Sequence, residues 1–120
     1  MRIWHEKLIP KLCKKHLLAC WREGLGCLNI LLFNKKGYSN HPQVKQYEHD
    51  ILALLWILCY VRQVMLAREY HPKEILDSDE KWEAYIKLRM EQMYKRLEIP
   101  WQTLEEQTEI LRNKNCDCEV

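Results

Sequence analysis

Two side chains have the types and spacing to act together on a phosphate-bearing ligand, His16 and Glu23. On an ideal helix, positions seven apart point within about 20° of each other and lie roughly 10 Å apart along the axis, so one ligand can touch both. Lys11, Lys15 and Arg22 fall on a neighbouring stripe, which sets a carboxylate beside a row of cations suited to successive phosphates. Taken by themselves, the residues favour the plainer reading, a solvated Glu23 paired with a neighbouring lysine.

These groups need a helix to hold them. The pattern predicts one from near Pro10, a residue suited to a first helical position, toward Phe33. Leu17, Trp21, Leu25, Leu28 and Leu32 give it one apolar stripe. Gly24 and Gly26 interrupt it at about 1 kcal/mol each against Ala, and mark a bend, a close approach of another backbone or a ligand, or chance. The run NKKGYSNHP from Asn34 to Pro42 reads as a loop and holds Lys35, Lys36, Tyr38 and His41. A second helix follows from about Val44 to Tyr70, apolar nearly all round between Ile51 and Val61, which predicts a central position.

Beyond His71-Pro72, the residues Asp77, Ser78 and Asp79 offer N-caps, Asp77 with Glu80 in a capping-box-like arrangement. The third helix they open carries the stripe Trp82, Tyr85, Ile86, Met90, Met93 and Leu97 and ends before Pro100. Thr103-x-x-Glu106 opens a short fourth helix to about Arg112. The expected fold is all-α, a single compact domain of three to four helices over residues 1–112, with a flexible tail at 113–120. No internal repeat or low-complexity segment is found.

Charge is divided along the chain. Residues 1–46 hold nine Lys or Arg against Glu6 and Glu23, a net +7, whereas from Asp77 onward seven basic residues meet eleven acidic ones, a net −4. A basic part joined to an acidic part suggests one face that meets a polyanion and another that stays solvated. Arg2, His5, Glu6 and Lys7 interrupt any early apolar run, so no signal peptide is expected, and the six cysteines are expected as reduced thiols in a cytoplasmic protein. The longest apolar run, the eleven residues from Ile51 to Val61, is well short of the roughly 20 a membrane-spanning helix needs.

The run H-L-L-A-C-W-R-E from His16 to Glu23, preceded by Arg2-Ile3, resembles the start of the pyrimidine-dimer DNA glycosylases of the phage endonuclease V type. The opening MRIW, the segment W-R-E-G-L from Trp21 to Leu25 and the segment G-Y-S-N-H-P-Q from Gly37 to Gln43 are more similar to the cellular, bacterial-type branch. The resemblance covers about 70 of the 120 residues, fading near Arg68 to His71. It implies an endonuclease V-like helical bundle and a DNA-repair glycosylase with abasic-site lyase activity. In such enzymes the N-terminal α-amine attacks the sugar C1′ of the damaged nucleotide, expels the base and forms an imine, and a glutamate is the essential carboxylate.

Carried onto this sequence, the resemblance makes Met1 and Glu23 catalytic. Arg2, Lys11, Lys15, His16, Arg22, Lys35, Lys36, Tyr38 and His41 would meet double-stranded, damaged DNA, with the protein acting as a monomer and with neither metal nor cofactor. An α-amine suits the task, since its reference pKa of about 7.7 to 8.0 against about 10.4 for lysine leaves a few hundred times more free base at pH 7. Arg2 and Arg22 would lower that value and Glu23 would raise it, so Glu23 reads as a stabiliser of the cationic state and a proton shuttle. Two departures stand out. Phage-type members expose a small residue after loss of the initiator Met, whereas Arg2 is too bulky for that, so the amine would be that of a deformylated, retained Met1. The phage enzyme ends in an aromatic, basic segment that helps hold DNA, whereas this chain ends in Asn-Cys-Asp-Cys-Glu-Val.

Other readings compete. Cys13, Cys20 and Cys27 recur at intervals of seven, His16 with Cys20 is a possible ligand pair, and Cys116-x-Cys118 offers two thiolates. None of these has paired C-x-x-C spacing, and small buried thiols explain the heptad-spaced cysteines more simply. Five tryptophans in a small helical chain read as core, with Trp21 and Tyr38 the aromatics best placed to stack on a base. A non-catalytic nucleic-acid-binding or protein-interaction domain is the main rival to an enzyme.

Overall fold

The computed structural model describes residues 2–33, 41–93 and 102–120, and its regular structure is wholly helical, without a strand among those residues. The all-α class expected from the sequence is the one adopted. Residues 2–13 form no α-helix, yet Ile3, Trp4, Leu8, Ile9 and Leu12 are all buried. Pro10 does open a helical turn, but only the 3-10 turn Ile9–Lys11, because Leu12 is extended and ends it. The first α-helix, α1, therefore starts later than expected and runs over Lys14–Phe33.

The expected second helix is two. His41 caps α2, Pro42–Tyr47, its ring nitrogen Nδ1 accepting from the Gln43 amide. After a break, Asp50 caps α3, Ile51–Ala67, accepting from the Ala53 amide. The break persists because a distant side chain satisfies it: Gln92 Oε1 accepts from the Ile51 amide at 2.6 Å and Gln92 Nε2 donates to the Glu48 carbonyl at 2.9 Å. A buried helix end needs such partners. The α3 helix packs on α1, α2 and the fourth helix, as its apolar run predicts, although Leu52, Trp56 and Leu66 remain exposed on its outer face.

Helix α4, Asp79–Gln92, is capped by Ser78, which accepts from the Lys81 amide; Asp77 instead pairs with Lys81 Nζ at 2.8 Å. Its expected apolar stripe is not its inner face. Tyr85 is buried, but Trp82, Ile86, Met90 and Met93 are 50–62 % exposed, because α4 docks through Tyr85, Leu88 and Gln92. Helix α5, Leu104–Arg112, starts at Thr103 as the sequence indicates, and Leu111 anchors it in the core. The tail after it, expected to fray, is held: the Glu119 amide donates to the Lys11 carbonyl at 3.0 Å, and Cys118 and Val120 pack against the core.

Gly24 marks a close approach. A Cβ there would collide with Leu58 Cδ2 of α3, whereas one at Gly26 would meet none of the described residues within 4 Å. The absence of a side chain at Gly24 thus lets α1 and α3 come together one residue past Glu23.

Candidate active site

Glu23 sits half-buried on α1, and among the described residues it makes no hydrogen bond or ion pair. Its surroundings are fixed by two buried thiols on the same face, Cys20 and Cys27. Burial pushes both thiols up to about 12, and the Glu23 carboxylate adds to the shift in each. The N-terminal segment crosses α1 at this level. The Trp4 backbone lies against the Cys20 thiol. One residue earlier, the Ile3 amide donates to Gln43 Oε1, and the Gln43 carbonyl accepts from the Cys27 thiol at 3.8 Å. Residues 3 and 4 are therefore tied to points one turn either side of Glu23.

Gln43 is the residue that sequence reasoning overlooked here. It is 2 % exposed, and besides holding Ile3 it donates through Nε2 to Gln46 Oε1 at 3.0 Å. Its only sequence signal was its place at the end of G-Y-S-N-H-P-Q, where it was not singled out. Gln107 acts alike farther along, its Oε1 accepting from the His5 amide at 2.6 Å. Arg2 Nη1 donates to Gln102 Oε1, and its guanidinium lies 5.0 Å from the Trp4 ring centroid. Burial lowers the Arg2 pKa from its ordinary value.

The basic residues divide into several environments. Lys15 and Arg22 are exposed on α1, seven positions apart, as the helical stripe requires. Lys11 is exposed too, but it belongs to the 3-10 turn rather than to the α1 stripe. His41 is engaged as the α2 cap. Met1, Lys35, Lys36 and Tyr38 lie outside the described residues. Trp21 is a core residue at 7 % exposure. A cleft of about 260 Å³ opens beside the N-terminal segment, lined by Trp4, Tyr47, Trp56 and Gln102 among others, and Glu23 is not part of its lining.

His16 stands among thiols at the start of α1. Its Nδ1 lies 3.2 Å from Cys13 Sγ and 3.3 Å from Cys118 Sγ, and its ring meets Trp4 edge-on with centroids 6.3 Å apart. Partial burial lowers its pKa, with Lys114 and Lys15 adding positive charge nearby. The ligand atoms of Cys13, His16, Cys116 and Cys118 all lie within 4.8 Å of one another, a grouping that could hold a metal ion where the sequence reading expected none. The pairing of His16 with Cys20 is not formed, because Cys20 is in the core.

A half-buried carboxylate without a partner among the described residues, on a helix whose exposed face carries cations, suits chemistry on a polyanion. The sequence model of the pyrimidine dimer DNA glycosylase family matches residues 1–78, well over half of the chain, and the protein belongs to that family of enzymes, which act on damaged DNA in DNA repair. The match takes in the N-terminal segment and α1 to α3, and ends at the Ser78 cap of α4, somewhat beyond the point where the resemblance was expected to fade. Neither curated proteins nor solved structures give a match. No helix among the described residues is long and apolar enough to cross a membrane.

Proposed function

We propose that this chain is a pyrimidine-dimer DNA glycosylase with abasic-site lyase activity, working as a cytoplasmic monomer through the Met1 α-amine and Glu23. The observation that carries this reading is the path of the N-terminal segment, tied at Ile3 and Trp4 either side of the Glu23 turn. Reacting groups must converge on one centre to within about 3 to 3.5 Å, and an anchor at Ile3, two residues along the chain from the amine, supports that convergence. The amine nitrogen bonds to C1′ as the bond from C1′ to the base breaks, the base leaving with the electron pair. Ring opening gives the imine, loss of a C2′ proton expels the 3′ phosphate, and water releases the sugar. Glu23 stabilises the cationic states and carries the protons.

Arg2, Lys11, Lys15, Arg22, Lys35, Lys36, Tyr38 and His41 form the DNA-facing set. His16, engaged by two thiols through Nδ1, retains only Nε2 for such a contact. The test is covalent trapping by borohydride on ultraviolet-irradiated duplex and, separately, on duplex with an abasic site, since both present a sugar C1′ to an amine. Trapping is expected with a free Met1 amine and should vanish when a tag extends the N-terminus, with salt-sensitive binding retained. If neither substrate is trapped by a chain whose Met1 is shown by mass spectrometry to be deformylated, the enzyme reading falls and a binding module stands in its place.

A further inference from the structure

We propose that Cys13, His16, Cys116 and Cys118 form a structural zinc site that locks the C-terminal tail onto the start of α1. The four ligand atoms come from two remote stretches of chain and lie within 4.8 Å of one another. Tetrahedral zinc, with Zn–S near 2.3 Å and Zn–N near 2.0 to 2.1 Å, sets edges of about 3.6 Å between sulfur and nitrogen and about 3.8 Å between sulfurs. Two of the three sulfur–nitrogen edges stand at 3.2 and 3.3 Å, and no pair of ligand atoms is more than 4.8 Å apart, so side-chain shifts of about 1 Å or less complete the tetrahedron. Three thiolates and one imidazole are a zinc donor set, and four protein ligands leave no open position, which marks the site as structural rather than catalytic.

The surroundings support the assignment. The Cys13 amide donates to Cys118 Sγ at 3.4 Å, the kind of hydrogen bond that orients a metal-bound thiolate. The edge-on Trp4 ring fixes the plane of His16. Lys15 and Lys114 bring positive charge to the ring, offsetting the negative charge of three thiolates around a divalent ion. The tail is held independently by the Glu119 to Lys11 bond, so its two cysteines are delivered to α1 by the fold itself. All four ligands are partly exposed, which leaves an entry path, whereas Cys20 and Cys27 are buried in the core and Cys59 is exposed on α3. The proposal does not rest on the glycosylase reading.

The test uses the full chain without a metal-binding tag, purified under reducing conditions and read for metal rather than activity. One zinc ion per chain should be retained, and cobalt(II) loaded in its place should show the intense visible bands and thiolate charge-transfer absorption of a tetrahedral site. Alkylation mapped by mass spectrometry should modify Cys59 alone among the accessible thiols of the zinc-loaded protein, and Cys13, Cys116 and Cys118 as well after chelation. Cys118→Ser should weaken zinc binding by more than the roughly 10- to 100-fold that follows loss of a hydrogen-bond partner of a ligand, while Cys59→Ser should leave it unchanged. Should a variant fail to fold, the alkylation pattern of the unaltered chain still decides. Substoichiometric zinc after incubation with the ion, weak octahedral cobalt bands, or a Cys13–Cys118 disulfide formed in preference to metal binding would each overturn the proposal.

Discussion

Replacing Glu23 by Gln alters charge with little change in shape, at a side chain that makes no hydrogen bond or ion pair among the described residues. Cleavage of abasic-site duplex should therefore fall by roughly 10²-fold or more, with the melting temperature held. A drop in both, followed by circular dichroism alongside the cleavage assay, would place Glu23 in the scaffold instead. One residue on, Gly24→Ala sets a methyl carbon against Leu58, and overpacking of about 1 to 3 kcal/mol outweighs the helix-propensity gain of about 1 kcal/mol. Gly26→Ala meets no neighbour among the described residues and keeps the gain. Urea titration should show the midpoint falling for the first variant and rising for the second. The sequence raised the same possibilities for both glycines, and only the position of Leu58, some thirty residues away, separates them.

Helix ends carry their own chemistry. Helix α3 closes in a Schellman motif, the Tyr70 amide donating to the Met65 carbonyl and the Glu69 amide to that of Leu66, each at 2.9 Å. That geometry puts Glu69 at φ 65°, a left-handed conformation that disfavours a side chain by about 1 to 2 kcal/mol. Glu69→Gly should raise the melting temperature, and an unchanged or lower value would show the turn to be stabilised by the side chain. The Thr103 cap was legible in the sequence because capping is local, and Ser78 stood there as one of three candidates, of which Asp77 had the capping-box spacing. The break before α3 was not, since Asp50 precedes an unbroken apolar run and the side chain that supports it, Gln92, lies 41 residues from Ile51. The α1 face bearing Lys15, Arg22 and Glu23 followed from spacing alone. The contacts that bring the N-terminal segment to it, through Gln43, and the tail to His16, through Cys118, span 40 and 102 residues and leave no periodic trace.

Across the whole molecule, the buried thiols make stability depend on alkali. Cys20 and Cys27 are raised to about 12, and Tyr47 beside them is raised in the same sense by burial. Below the ordinary thiol value near 8.5 both folded and unfolded chains keep these protons, and above it only the unfolded chain releases them. Stability should thus fall as pH rises from about 8.5 toward 12, seen as a lower urea midpoint at about pH 10 than at about pH 8; a flat profile would show the thiols to be better solvated than the fold implies. Binding to duplex DNA should weaken with salt at a log-log slope of about −4 if four or five phosphates are met by the basic part, and a flat response would remove that face from consideration. One more consequence follows from the ties between residues 2–13 and residues 102–119. A ribosome adds about 5 to 20 residues per second, so roughly 5 to 20 s separate the appearance of the first stretch from that of the second. Throughout that interval the nascent N-terminal stretch lacks those closing partners and stays open to processing enzymes. Closure of that stretch comes only once residues 102–119 have been made.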